Sequence, residues 1–276
     1  MPPYPCSVHI LTRNSARTLE AALESVAGFS EVIVADGFST DGTRSIAERW
    51  GCKVVDQDRA YLDSSGRLVD FSGPRNQLLA LTTQPWVLTL DSDEVLSAEL
   101  SAHVGEVCSM GGLHDTYSVN ARYTVGGRVI ECASSYPFML PRLFRASTMQ
   151  PWSGAVDEVV RSESNAGELQ GHLIIPLPPV RRSLRKWVRY ARLEAADIRT
   201  LSPDDRSKKL AFFKSSVRWF ISRWRASRRC CSGRRLPVGY ELGRLMYFVA
   251  RYASSRLVSM RLPAAVRRGQ GTAGGQ

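Results

Sequence analysis

The sequence predicts an α/β protein: a mostly parallel sheet flanked by helices, followed by a basic helical C-terminal region. Three observations carry this. Apolar, β-prone runs alternate with segments of helical periodicity through the N-terminal part of the chain. Two of those runs end in carboxylates, where the ligand crevice of a parallel sheet lies. The charge also changes sign along the chain: residues 1–180 hold 13 Lys and Arg against 21 Asp and Glu, and residues 181–276 hold 24 against 5.

Ser7 to Leu11 reads as the first strand. The stretch after it, from Asn14, places Leu19, Ala22, Leu23 and Val26 at helical spacing, with Ser15 as a cap and Gly28 as a stop. EVIVAD, ending at Asp36, is a second strand, TDGTRSIAERWG a second helix and KVVD a third strand. GPRNQLLALTT is helical, with Pro74 suited to a first turn. The run from Trp86 to Leu90 is apolar or β-branched throughout, as befits a strand buried on both faces. It ends in Asp91, Asp93 and Glu94, with Ser97 placed to cap a following helix. Beyond Leu113 the pattern becomes that of a hairpin turning at Gly126-Gly127, and PFMLPRLFR is a further strand. From Arg181 onward the chain is helical and basic, and RRGQGTAGGQ at the end reads as disordered. The expected division is 1–179, 180–263 and a tail at 264–276.

Clustered carboxylates repel one another unless water or a cation lies between them. Two acids one residue apart at a strand end suit a divalent cation, and a departing nucleoside diphosphate needs one because charge builds on its oxygens. Asp36, the STDGT loop behind it, Asp91-Ser92-Asp93 and the pair Asp157-Glu158 in WSGAVDE therefore ask for one explanation.

SVHILTRN, VADGFSTDGT, GPRNQLLAL, WVLTLDSDEVLS, GGRVI, PRLFR and WSGAVDE, in that order, resemble a family 2 glycosyltransferase of the GT-A (Rossmann-like) fold. The similarity is strongest to the branch that includes bacterial lipopolysaccharide-core β-glucosyltransferases, and it runs from Ser7 to about Arg161. It implies that Asp36 takes the nucleotide base or ribose and that Asp41 supports that loop. Arg75 and Asn76 would lie close to the nucleotide-sugar. Asp91 and Asp93 would bind Mg²⁺ or Mn²⁺ with the diphosphate. Glu158, or Asp157 beside it, would be the base that deprotonates an acceptor hydroxyl during inverting transfer. Two departures stand out: Phe38 follows Gly37 where the family has a small residue and Gly, so a positive φ there would be strained, and Asp157-Glu158 replaces the more frequent His-Glu.

The implied partners are a nucleotide-sugar donor, by resemblance a UDP-sugar, and a glycan or lipid-linked acceptor of the cell envelope. Two rivals remain at this point: a nucleotidyltransferase of related architecture, and a non-catalytic binder of anionic membrane or nucleic acid. Leu210, Phe213, Val217, Phe220, Ile221 and Trp224 form an apolar stripe on a basic helix, which suits either an anionic membrane surface or packing within the protein. With no zinc-finger spacing, RNP-like aromatic motif or helix-turn-helix signal, nucleic acid is not expected. No signal peptide or 18-residue apolar run is seen, so the expected location is cytoplasmic, peripheral on the inner face of the cytoplasmic membrane. The six cysteines suggest neither a zinc site nor a disulfide framework, and a reducing compartment follows. His172 stands alone and reads as structural rather than as a metal ligand.

Overall fold

The structure, a computed structural model, describes residues 3–154, 166–199 and 201–261. The chain divides into two compact units. The first comprises Met1–Val129 and Pro137–Pro176; the second comprises Ile130–Tyr136 and Leu177–Gln276.

The first unit is a mixed sheet with helices against it. Its strands are β1 (Tyr4–Thr12), β2 (Phe29–Asp36), β3 (Lys53–Asp56), β4 (Trp86–Asp91), β5 (Val95–Leu96), β6 (Thr116–Val125), β7 (Arg128–Val129), β8 (Met139–Arg145) and β9 (Gly167–Pro176). Among the described residues they join in the order β3-β2-β1-β4-β8-β6-β9-β5, with β7 paired to β6. The β3-β2-β1-β4 half is parallel. Beyond it β8 enters antiparallel to β4, and the sheet continues with mixed polarity. The centre is a continuous buried run, as strands covered on both faces require: Cys6 to Ile10 and Trp86 to Leu90 are buried without a break, with Ser7, His9 and Thr89 as the polar members.

The helices α1 (Leu19–Glu24), α2 (Thr43–Arg49), α3 (Ser72–Ala80) and α4 (Ala98–Met110) complete this unit. Helix α1 is shorter than its sequence pattern, because Thr18 and Leu19 both donate their amides to the Ser15 carbonyl and residues 13–18 form a turn. Ser97 caps α4 as expected, its Oγ accepting from the Leu100 amide at 3.2 Å. The β6-β7 turn has Gly126 and Gly127 at φ 57° and 75°, the left-handed pair that a two-residue hairpin demands. Strand β9, which the sequence did not announce, lies parallel to β6.

The second unit contains α5 (Val180–Asp197), α6 (Pro203–Cys230) and α7 (Val238–Arg261). The α6 stripe is turned to the interior of this unit: Phe213 and Phe220 are 1% exposed. Phe220 packs on Phe248, and the Arg251 guanidinium lies 4.1 Å from the Phe213 ring centre. Arg251 is itself paired with buried Glu194 at 2.5 Å. The segment Ile130–Tyr136 is held by Glu241, whose carboxylate accepts from the Ser134 amide and hydroxyl at 2.9 and 2.5 Å. Cys132 and Cys231 form a disulfide across a separation of 99 residues. This corrects the reading of the cysteines: that spacing carries no motif, and only the return of Ile130–Tyr136 to the end of α6 brings the two thiols together.

Candidate active site

Register places the acids. Thr12 at the end of β1 pairs with Asp36 of β2, and Leu11 beside it pairs with Asp91 of β4. Both carboxylates therefore leave the sheet at the same end of its central strand. Asp36 is buried and closes a turn, its two oxygens accepting from the Ser39 amide at 3.0 Å and the Ser39 hydroxyl at 2.5 Å. Phe38 inside that turn has φ 58°, the strained conformation the sequence had raised, and its ring lies 4.2 Å beneath the Arg59 guanidinium.

Asp41 holds the next loop. It accepts from the Thr43 hydroxyl and amide at 2.5 and 3.0 Å and from the Ala16 amide at 3.3 Å. The Thr43 hydroxyl, foremost among these donors, holds the Asp41 carboxyl below its ordinary range. Asn14 receives the Thr40 amide at 2.8 Å, and Ser15 reaches Ser92 hydroxyl to hydroxyl at 2.9 Å. The loops after β1, β2 and β4 are thus stitched to one another.

The Asp91-Ser92-Asp93 loop is braced from below. Glu94 is buried, receives the Asp91 amide at 3.1 Å and pairs with Arg142 of β8 at 2.6 Å. Burial pushes the Glu94 carboxyl up to about 7 against the opposing pull of Arg142. Arg142 is therefore an internal partner of Glu94. Asp91 keeps 47% of its side chain exposed, with Arg75 at 3.4 Å and Arg142 at 3.9 Å, and Asp93 is exposed.

Arg75 and Asn76 sit on α3 and both address Trp152. The Arg75 guanidinium lies 5.2 Å from its ring centre. Asn76 accepts the Trp152 amide at 2.8 Å and donates to the Trp152 carbonyl at 3.1 Å. Asn76 thus anchors the start of the segment that carries Asp157 and Glu158, and those two acids lie outside the described residues. His172 is in β9, its amide bonded to Ser97. His9, which the sequence gave no reason to single out, is buried in β1 with a ring nitrogen 2.9 Å from the Thr82 hydroxyl. Burial, then the Arg75 charge, lowers its pKa to about 4.

Among the described residues no three His, Cys, Asp or Glu side chains gather as a metal cage. The donor set nevertheless fits a hard divalent cation of the Mg²⁺ or Mn²⁺ kind. Such ions are commonly held by one or two carboxylates, with substrate phosphates and water completing the shell. Asp91 and Asp93 offer that number of oxygen donors at the solvent-facing end of β4.

The sequence model of Glycosyl transferase family 2 matches residues 7–109. Over those residues the chain is similar to the family 2 glycosyltransferases. The match spans β1 through nearly all of α4 and includes every loop just described up to Asp93. An uncharacterised glycosyltransferase of Rickettsia conorii is 35% identical over 99 residues, which is 36% of this chain and 32% of the relative. The glycosyltransferase SunS of Bacillus phage SPbeta is 26% identical over 150 residues, 54% of this chain and 33% of SunS. The aligned part thus amounts to about a third of the length of these curated relatives. Among solved structures, TarS of S. aureus aligns with 70% of this chain and 39% of its own at 18% identity and TM-score 0.42. Glucosyl-3-phosphoglycerate synthase of Mycobacterium tuberculosis, in complex with Mn²⁺, UDP and glucosyl-3-phosphoglycerate, aligns with 51% of this chain and 57% of its own at 23% identity and TM-score 0.36.

Proposed function

We propose that this protein is a family 2 glycosyltransferase, an inverting, metal-dependent enzyme that moves a sugar from a nucleotide-sugar, a UDP-sugar by resemblance, to a hydroxyl of a glycan or lipid-linked acceptor in cell-envelope synthesis, lipopolysaccharide included. The observation that carries this reading is the common register of Asp36 and Asp91 on either side of β1. A nucleoside diphosphate sugar needs a polar site for its nucleoside and, a few ångströms along, a site for two phosphates. The Asp36-Ser39 turn and the Asp91-Ser92-Asp93 loop supply these in adjacent positions.

In this proposal Asp36 and the backbone of its turn receive the base or ribose, and Asp41 keeps the neighbouring loop in place. Asp91 and Asp93 would hold the cation, which when bound neutralises charge on the departing diphosphate. Arg75 sits at Asp91 and places a second positive charge beside that diphosphate. The acceptor hydroxyl is a poor nucleophile until a base takes its proton, a step worth ~10²- to 10⁴-fold. Glu158 or Asp157 is assigned that step, and Asn76 fixes the backbone two residues before Gly154 and five before the first of these acids through Trp152.

The test is nucleotide binding in the presence and absence of metal. UDP with Mn²⁺ should raise the thermal midpoint by several degrees at ~100 times its dissociation constant, equivalent to about 2.7 kcal/mol, and EDTA should abolish the shift. No shift with UDP, GDP, CMP or ATP would overturn the reading.

A further inference from the structure

Helix α7 has one face whose apolar side chains are exposed among the described residues. Val238, Leu242, Met246, Val249, Leu257 and Met260 are each 45–64% exposed. At about 100° per residue they fall within roughly a third of the helix circumference and form a stripe some 33 Å long. The opposite face is occupied inside the second unit: Trp187 of α5 meets α7 at Gly243, and Phe220 of α6 meets it at Phe248. The other exposed residues between Val238 and Met260 are Gly239, Ala253 and Arg256. The single acid of α7, Glu241, is buried against Ser134.

The net charge of the segment that carries this stripe points to what it meets. Leu177–Gln276 carries 24 Lys and Arg against 5 Asp and Glu. Each of those five acids has a partner inside the unit: Glu194 with Arg251, Asp197 with Lys209, Asp204 with Lys208, Asp205 with Ser202 and Glu241 with Ser134. The unit therefore presents an excess of positive charge to its surroundings. Two copies meeting stripe to stripe would bring like charges together, whereas a bilayer with anionic headgroups offers apolar depth and opposite charge at once. Among the described residues no helix is long and apolar enough to cross a membrane, which leaves a helix lying along the interface.

We infer that the outer face of α7 is the seat of the protein on an anionic lipid surface. The arrangement differs from the one the α6 pattern suggested, since the apolar stripe of α6 is spent on internal packing. It is also independent of the catalytic reading, because it uses no residue of the first unit. Arg256 lies within the stripe, where a long side chain buries its stem and keeps its guanidinium at headgroup level.

The experiment is sedimentation of the full chain with phosphatidylcholine vesicles and with vesicles of phosphatidylcholine and phosphatidylglycerol at 7:3, together with light scattering of the free protein. The wild type should be a monomer that pellets with the anionic vesicles only, and less so as salt rises. Met246→Ser with Val249→Ser, both at exposed positions, should keep the thermal midpoint and lose partitioning roughly tenfold or more. Leu257→Ser alone should lose less in the same direction. Unchanged partitioning in the folded double variant would overturn the inference. So would a wild-type dimer that these substitutions turn into a monomer, because the stripe would then belong to a second copy.

Discussion

Asn76 holds both backbone polar groups of Trp152, accepting the amide at 2.8 Å and donating to the carbonyl at 3.1 Å. A side chain on α3 thus fixes the entry to the segment proposed to carry the base. Asn76→Ala should destabilise the fold by about 1–3 kcal/mol, because two part-buried backbone groups lose their partner. It should lower turnover while UDP affinity holds. Asn76→Asp, which retains only the acceptor, should fall between. Calorimetric binding and initial rates separate the two effects, and equal losses of affinity and turnover would place Asn76 at the donor instead.

Glu94 and Arg142 are paired at 2.6 Å with side chains 4% and 12% exposed. Arg142→Met leaves a buried carboxylate without its strongest counter-charge and should cost about 3–5 kcal/mol. Adding Glu94→Gln should return part of that loss. Urea unfolding of both variants measures the difference, and additive losses would show that the pair is not coupled.

His9 sets a pH dependence on the acid side. Its folded pKa of about 4 lies below the ordinary value of 6.5, so between those limits the unfolded chain binds a proton that the folded chain refuses. Stability from this group is complete above pH 6.5 and is lost as pH falls towards 4, by about 3 kcal/mol. His9→Gln should show a shallower fall in stability over that window. An identical slope in wild type and variant would mean that folded His9 carries the proton.

Asp93 is exposed, so Asp93→Ala should leave the midpoint within about 0.5 kcal/mol of wild type. Transfer should nevertheless drop by roughly 10²-fold or more, and the Mn²⁺-dependent part of UDP binding should disappear. A variant that still transfers at the wild-type rate and still requires metal would remove Asp93 from the cation site.

The disulfide can be tested against its neighbour. Cys231→Ser should lower stability by about 2–4 kcal/mol, as loss of a long-range crosslink does. Cys230→Ser, at an exposed free cysteine, should not. Matching midpoints for the two variants would show that Cys231 is unpaired.

Much of the parallel half of the sheet was legible because apolar and β-branched residues dominate β1 and β4 and KVVD falls directly on β3. The Gly126-Gly127 turn was legible because few other residue pairs tolerate two positive φ values in succession. Strand β9 was not: GELQGHLIIP mixes charge, glycine and apolar residues, and only its place beside β6 makes it a strand. In the site, the positions of Asp36 and Asp91 could be read from the strand ends on which they sit. The burial of Glu94 under its loop could not, because it depends on Arg142 arriving from a strand 48 residues later. Periodicity likewise identified the apolar stripe of α6, but periodicity says which face is apolar and not what covers it.

The return of Ile130–Tyr136 to the second unit has a consequence in time. That segment is completed by the Arg234 carbonyl, by Glu241 and by Cys231, all of which follow it by about a hundred residues. At ~5–20 residues per second on the ribosome, its partners are translated roughly 5–20 s after it. During that interval Cys132 is a thiol, and the strands that flank the segment in sequence, β7 and β8, are made before any of its partners. The helical unit is therefore assembled last around a piece of chain made in advance, and a ribosome stalled before α6 would leave that piece waiting.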